Sequence, residues 1–232
     1  MRDDFKDVRA FHVKFKLPVD DGGPPEPMSP EILAFRMRFL HEERIEYIDA
    51  FDKRNLTKAV DALIDFVYVA FGTALFMKAA QTSAAYSGEQ WPTFDRVRKY
   101  AQDAGYPLQR SPSLPPWASH EMMTTSLLHS VKMFELAHVA TTDEPRMIFL
   151  ALKQLQAAAS YAYLAAVMMG IPWPECWKHV QAANMRKIRA AEDGSNSKRA
   201  SPWDVVKPGG WTAPDAEIYN TLRLHGALLE VR

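Results

Sequence analysis

Acidic side chains at helical spacing are the residues of this sequence best suited to chemistry. In the segment HEERIEYIDA, Glu42, Glu46 and Asp49 follow one another at about one helical turn, and Glu43 lies three residues before Glu46. Like charges at this spacing repel one another by roughly 0.2–0.5 kcal/mol per pair even when they are exposed. We therefore expect these carboxylates to be balanced by a cation.

A second acidic pair follows in the segment DALID, where Asp61 and Asp65 lie four residues apart at the beginning of an apolar stretch. Burial near such a stretch destabilises a carboxylate unless something compensates its charge. Mg²⁺ prefers carboxylate, water and phosphate oxygens, so two facing helices with carboxylates one turn apart favour an Mg²⁺ site. The alternative is a solvated acidic helix face whose aspartates are stabilised by the helix dipole. The neighbours of Asp65 argue against full solvation, since they are all apolar: Leu63, Ile64, Phe66 and Val67.

The overall composition is that of a folded globular protein. Of 232 residues, 47% are hydrophobic, and 28 basic residues balance 28 acidic ones, so no overall field favours nucleic acid or an anionic membrane. The single Cys176 excludes an intrachain disulfide and a multi-cysteine metal site. The charged start MRDDFKDVRA is unlike a signal peptide, and we expect a cytoplasmic protein. The apolar stretches 66–77 and 154–174 are expected to be buried helices rather than membrane spans.

The spacing of apolar residues and the positions of proline and glycine predict a single all-α domain over residues 1–232, built as a helical bundle. We find no convincing strand and no internal repeat. Residues 192–214, here named the C-terminal loop, are polar, basic and interrupted by Gly, Ser and Pro. The predicted helices cover residues 5–16, 30–53, 57–78, 94–103, 121–140, 145–169, 173–191 and 214–231.

Three sequence blocks, in this order, resemble the MazG-like all-α nucleoside triphosphate pyrophosphohydrolases. The phage members of that group are the most similar in sequence character. The central block is Glu42-Glu43-x-x-Glu46 followed by Asp61-x-x-x-Asp65 and FVYVAFGTA. The amino-terminal block is VRAFHVKFKLP. The last block is MGIPWPECWKHVQAANMRKIRA with SKRASPWDVVKPGGW after it.

The resemblance implies Mg²⁺-dependent hydrolysis of a nucleoside triphosphate at the α-phosphorus, which yields the monophosphate and pyrophosphate. We also expect Mn²⁺ to substitute for Mg²⁺ in this reaction. The resemblance assigns metal ligation to Glu43, Glu46 and Asp65, and makes Glu42 a second ligand or the general base for the attacking water. Glu42 and Glu43 are thus the predicted catalytic pair.

Substrate-binding residues are also assigned by the resemblance. Asn184 and Lys187 stand three residues apart on one helix and are expected to contact the nucleotide or its phosphates. Lys198 and Arg199 belong to the C-terminal loop and are expected to bind phosphate. His12 is expected to contact the base or a phosphate, although a buried core histidine is the alternative.

The sequence departs from the family pattern at two places. The second half-motif usually reads Glu-x-x-Asp, and Ala62 stands at the position of its glutamate, so Asp61 is expected to serve as the metal ligand there. The second departure is an insertion at about 78–160, expected to be a lid, a helical pair for oligomer contacts, or a specificity element.

Several functional alternatives stay open at this level. A purine deoxynucleotide such as dGTP is the expected substrate if the protein remodels a phage nucleotide pool, in which case it acts in the host cytoplasm. Related substrates are phosphoribosyl-ATP, dUTP and dCTP. Alternatively, Ala62 marks a degenerate site in a nucleotide-binding or helical interaction protein without turnover. A homodimer or homotetramer is expected, with no nucleic-acid or membrane partner.

Overall fold

The computed structural model describes residues 3–79, 91–144 and 146–227. Within these ranges the chain is a bundle of helices, which confirms the predicted all-α class. The helices are α1 (Asp4–Lys14), α2 (Pro30–Asp52), α3 (Leu56–Phe76), α4 (Phe94–Asp103), α5 (Trp117–Val139), α6 (Met147–Met168), α7 (Trp173–Asn184) and α8 (Asp215–Leu224), and a 3₁₀ turn (Ala140–Thr142) follows α5.

Side-chain caps explain where the two helices with the acidic motif begin. The Ser29 hydroxyl accepts the Ile32 amide hydrogen ahead of α2, and Pro30 supplies the preset backbone angle of a first helical position. The Asn55 side chain accepts the Lys58 amide hydrogen ahead of α3 in the same way. Both helices begin within a residue of their predicted starts because capping is encoded locally.

Three details of the secondary structure predicted for the carboxyl-terminal part are wrong. Helix α7 ends at Asn184 rather than at residue 191, and a short strand follows it. That strand, β1 (Ile188–Arg189), pairs antiparallel with β2 (Val205–Val206) inside the C-terminal loop. Two-residue strands carry no apolar alternation, and their partner is distant in sequence, so the pairing leaves no local pattern. Helix α8 ends at Leu224 rather than at residue 231, because the chain turns at residues 225–227, where Gly226 has a φ of 86°. Residues 228–231 lie outside the described residues, as does Pro145, the predicted start of α6.

Four long helices form the centre of the bundle as two antiparallel hairpins. Helices α2 and α3 form the first hairpin, and α5 and α6 form the second. Helix α3 packs against α6, while α2 packs against α5. The segment predicted as an insertion at about 78–160 therefore includes α5 and the first part of α6, which form the second hairpin of the central bundle.

Helix α3 is the innermost element. Every residue from Phe66 to Phe76 is buried, and α1, α7 and α8 cover the sides that α2 and α6 leave open. By length and composition α3 could cross a membrane, but 89% of its most apolar window is buried inside the protein. This packing is that of a core helix, and the polar end of α3 holds Asp61 and Asp65 against α2.

Candidate active site

The acidic residues of α2 and α3 face one another across the first hairpin. Glu43 is only 5% exposed, whereas Glu46 is exposed at the edge. Burial raises the pKa of Glu43 well above its usual value, and the carboxylates of Asp65 and Glu46 raise it further. Lys187 lowers that pKa only in part. Three of the predicted metal ligands thus lie within one electrostatic field.

Asp61 lies at the same edge of the site, and it is less buried than Glu43. Burial, followed by the charge of Asp65, raises its pKa to about 7, although the cation of Lys58 opposes the shift. Lys58 Nζ lies 3.8 Å from Asp61 and donates to Asp215 at 2.7 Å. A cleft of about 460 Å³ opens here between Glu46, Asp61 and the two cations Lys53 and Lys58.

The chemistry of these carboxylates fits a hard divalent cation. The carboxylate of Glu43 is buried and receives no hydrogen bond or ion pair within the described ranges, and it lies in the field of Asp65 and Glu46. Such a group is stabilised when a cation joins the site. Among the described residues, no three histidine, cysteine, aspartate or glutamate side chains converge into a complete metal-binding cluster. The site therefore fits Mg²⁺ through its carboxylate oxygens, and oxygens of phosphate and water can complete the coordination.

Asn184, at the end of α7, connects this site with the carboxyl-terminal part of the chain. Its side chain is 4% exposed, and its Nδ2 donates to Asp65 Oδ1 over 3.4 Å. Lys187 lies three residues further along the chain, beyond the end of α7, and its ammonium lies 5.8 Å from the ring centre of Trp211. The structure therefore brings both predicted substrate-binding residues of this segment to the acidic helices.

The two basic residues of the C-terminal loop have different environments. Arg199 donates through Nε to Glu42 Oε2 at 2.9 Å, and a second contact from its Nη2 reaches the same oxygen. Its Nη1 lies 3.2 Å from Asp204 Oδ2, and Asp204 is 2% exposed. Lys198, by contrast, is exposed and forms no ion pair within the part of the chain that the structure describes.

A small cavity of about 50 Å³ adjoins the carboxylates. The C-terminal loop closes it with Trp203, Asp204 and Val205, and rings from α1, α2 and α3 line its apolar side. Five predicted site residues contribute to its wall: His12, Glu43, Asp65, Asn184 and Lys187. Aromatic walls beside polar groups are typical of sites that bind small molecules.

His12 is neutral in this cavity. Its Nδ1 donates to the Pro18 carbonyl oxygen at 2.6 Å, and burial lowers its pKa to about 3. The Nε2 of a neutral ring with this tautomer is an acceptor. A side chain on Gly72 would approach that atom to 2.9 Å, so the glycine leaves room for the imidazole.

Arg36 is a buried cation that the sequence interpretation missed. Its Nε donates to Thr73 Oγ1 at 3.0 Å and its Nη2 to the Val69 carbonyl oxygen at 2.7 Å. Its guanidinium carbon lies 5.1 Å from the ring centre of Phe76. Burial and the charge of Arg199 lower the pKa of Arg36 to about 9, so it is charged at neutral pH.

Asp204 and Phe39 were also missed, and both position Arg199. The guanidinium carbon of Arg199 lies 3.7 Å from the ring centre of Phe39, while Asp204 also accepts hydrogen bonds from Ser197 Oγ and its own neighbour Val205 N. No motif distinguishes these residues in the sequence, because each acts through a partner on a distant segment.

Comparison with known proteins supports the interpretation of the amino-terminal helices. Residues 8–78 match the family model described as phosphoribosyl-ATP pyrophosphohydrolase, and this segment covers α1 to α3. It contains the carboxylates from Glu42 to Asp65 but excludes Asn184 and the C-terminal loop. No curated protein and no solved structure matches the chain significantly.

The family match confirms the predicted resemblance at the level of the superfamily for less than a third of the chain. Residues 8–78 match a phosphoribosyl-ATP pyrophosphohydrolase domain, which belongs to the MazG-like all-α nucleoside triphosphate pyrophosphohydrolase superfamily.

Proposed function

We propose that this protein is an Mg²⁺-dependent pyrophosphohydrolase that converts a nucleoside or deoxynucleoside triphosphate to its monophosphate and pyrophosphate, and that Mn²⁺ can replace Mg²⁺. The observation that carries the proposal is the buried carboxylate of Glu43, which faces Asp65 and Glu46 beside an aromatic cavity. Burial of mutually repelling carboxylates destabilises a fold, so such an arrangement favours a function that supplies a cation.

The carboxylates of Glu43, Glu46 and Asp65 would hold the metal, with Asp61 as a further oxygen donor at the position next to Ala62. When bound, Mg²⁺ would offset negative charge on the phosphate oxygens and make hydroxide more accessible near neutral pH. Asn184 holds Asp65 through its amide, which orients that carboxylate toward the shared site.

Glu42 is the proposed base that accepts a proton from the attacking water. Its Oε2 accepts a hydrogen bond from Arg199 Nε at 2.9 Å. A triphosphate offers Arg199 stronger, bidentate acceptors than a single carboxylate oxygen does. Exchange of partners would therefore move Arg199 to the phosphates and leave Glu42 free to accept the proton. Lys187 and Lys198 would add positive charge around the same phosphates.

The cavity beside the carboxylates is the proposed site for the base. At about 50 Å³ it exceeds the space for one water but is smaller than an ordinary ligand pocket of roughly 300–1,000 Å³. A base would therefore enter only when the C-terminal loop, which carries Trp203, moves away. His12 and Arg36 offer an acceptor and a cationic donor on the polar wall for the edge of the base.

Two substrate classes have support. A purine deoxynucleotide such as dGTP, cleaved in a phage-infected host cytoplasm, agrees with the resemblance of the carboxyl-terminal blocks to phage proteins. Phosphoribosyl-ATP is favoured by the description of the family that matches residues 8–78. Both carry a triphosphate on a purine nucleotide, and both would release pyrophosphate; dUTP and dCTP are the pyrimidine alternatives.

Product analysis tests the proposal directly. The purified protein is incubated with a panel of ribo- and deoxynucleoside triphosphates and with phosphoribosyl-ATP, in Mg²⁺, Mn²⁺ or EDTA, and the products are separated by ion-exchange chromatography. We expect monophosphate and pyrophosphate only when metal is present. Nucleotide binding without product, from a folded protein, would instead support a binding protein whose site is degenerate at Ala62.

Assembly into a homodimer or homotetramer is part of the proposal. Leu136 and Val139 lie three residues apart near the end of α5 and are 63% and 58% exposed. Adjacent exposed apolar side chains favour a protein partner. Light scattering coupled to size-exclusion chromatography measures the mass, and a mass of 26.3 kDa at micromolar concentration would contradict assembly.

A further inference from the structure

A second cleft, of about 590 Å³, lies between α4 and α6. It shares no lining residue with the cavity or the cleft at the acidic helices. Its floor is wide because Ala157 and Ser160 present small side chains, and Ser160 Oγ is bound back to the Gln156 carbonyl oxygen of its own helix. The reaction proposed for the acidic helices therefore does not account for this cleft.

Among the described residues, the charged side chains that line the cleft are both basic: Arg96 of α4 and Lys153 of α6. Neither side chain forms an ion pair within the described ranges, whereas the neighbouring Lys99 on α4 is paired with Asp103 at 2.7 Å. Two cations on facing helices without a carboxylate suit a phosphate or another anion.

An amide also faces this cleft. Gln156 is 8% exposed as a residue and lines the cleft. Its side chain is not among the fully enclosed polar groups that lack a partner in the described ranges, so its amide reaches the open space of the cleft. An amide offers both donors and an acceptor, which suits the edge of a nucleobase.

Tyrosine rings provide the remaining wall. Tyr100 lies one helical turn after Arg96, and the ring centres of Tyr100 and Tyr106 are 6.2 Å apart. Tyr161 of α6 lines the same space. Tyr100 is 60% exposed, which makes its ring accessible to a planar ligand. Aromatic faces bind bases by stacking, largely independently of base identity.

We propose that this cleft is a second nucleotide-binding site, in which Arg96 and Lys153 bind phosphate, Gln156 contacts the base edge and the tyrosines stack on the base. A nucleotide is the occupant that uses the cations, the amide and the rings together. We expect no catalysis there, because the described residues that line the cleft include no carboxylate, histidine or cysteine. It stands on observations independent of the reaction proposed for the acidic helices.

Photolabelling in EDTA with 8-azido-ATP tests this proposal. The tryptic peptide 100–110 carries Tyr100 and Tyr106 and reports on the second cleft. The tryptic peptide that begins at Ala200 carries Trp203 and reports on the cavity beside the carboxylates. Mass spectrometry therefore distinguishes the two sites in one experiment, and failure of one proposal does not imply failure of the other.

We expect label on peptide 100–110 in the wild-type protein, and at least a tenfold decrease in the Arg96→Ala, Lys153→Ala double variant. Gln156→Leu should reduce the same label. Arg98→Ala is the matched control, because Arg98 is exposed on the same helix but does not line this cleft. Circular dichroism confirms that each variant is folded. The proposal is overturned if peptide 100–110 stays unlabelled with millimolar probe, or if the double variant is labelled like the wild type.

Discussion

Arg199 joins the C-terminal loop to the acidic motif by binding Glu42 of α2. Its Nε lies 2.9 Å from Glu42 Oε2, and its Nη1 lies 3.2 Å from Asp204 Oδ2. The ring of Phe39 supports the guanidinium from one face. One arginine therefore fixes a predicted catalytic carboxylate and, through the buried Asp204, the loop that closes the cavity.

Arg199→Ala should lower both stability and activity. It leaves the buried Asp204 without its cation, which we expect to reduce the free energy of unfolding by roughly 3–5 kcal/mol. It should also lower kcat/KM at least tenfold for the preferred triphosphate. Lys198→Ala should change stability by less than about 0.5 kcal/mol because Lys198 is exposed, while it raises KM. Urea unfolding and steady-state kinetics measure these effects, and similar stability losses in both variants would contradict the assignment.

Neutralising the acidic motif should abolish turnover without unfolding the protein. We expect Glu46→Gln and Asp65→Asn to lower kcat at least about a hundredfold, because each removes an oxygen donor from the proposed metal site. Asp52→Asn is the control, since Asp52 is an exposed carboxylate at the end of the same helix α2. Pyrophosphate release is the measurement, and near-wild-type turnover in either site variant would reject the metal-site assignment.

Variants of Asp61 test whether this carboxylate replaces the glutamate that the family has at the position of Ala62. If Asp61 contributes to the metal site, Asp61→Asn should raise the Mg²⁺ concentration needed for half-maximal activity at least tenfold. Lys58→Met provides the comparison, because it removes the cation near Asp61 and leaves the carboxylate. An unchanged Mg²⁺ requirement in Asp61→Asn would leave Asp61 as a structural partner of Lys58 alone.

Gly72 should be essential for the shape of the base cavity. A Cβ at this position would lie 2.9 Å from His12 Nε2 and 3.0 Å from Arg36 Nη2, so Gly72→Ala must displace both groups. Overpacking of this kind costs about 1–3 kcal/mol, which exceeds the gain of up to ~1 kcal/mol from helix propensity. Gly209→Ala is the control, because no atom lies within 4 Å of its added Cβ. Equal melting temperatures for the two variants would show that the cavity adapts.

The buried His12 should make the protein sensitive to acid. Its pKa is about 3 when folded and about 6.5 when unfolded, so between these values the unfolded chain binds the additional proton. The free energy of unfolding should therefore fall as the pH falls, by about 2 kcal/mol between pH 6 and pH 4.5 from this residue. His12→Asn should remove that part of the slope in urea titrations. An unaltered slope would indicate that His12 is protonated in the fold.

The sequence by itself determined the helices, their caps and the acidic motif, because capping residues and apolar periodicity act over a few positions. The resemblance of the acidic motif to one family also predicted that Glu43 and Asp65 share a site. The match of residues 8–78 to one family supports that local information.

Only the tertiary structure decided which distant residues join those carboxylates. The packing of α7 against α3 brings Asn184 to Asp65, and the pairing of β1 with β2 holds the C-terminal loop near α2. The role of Arg36 depends on rings from α2 and α3, and that of Asp204 depends on Arg199. Such contacts arise from the way whole elements pack, so no short stretch of sequence specifies them.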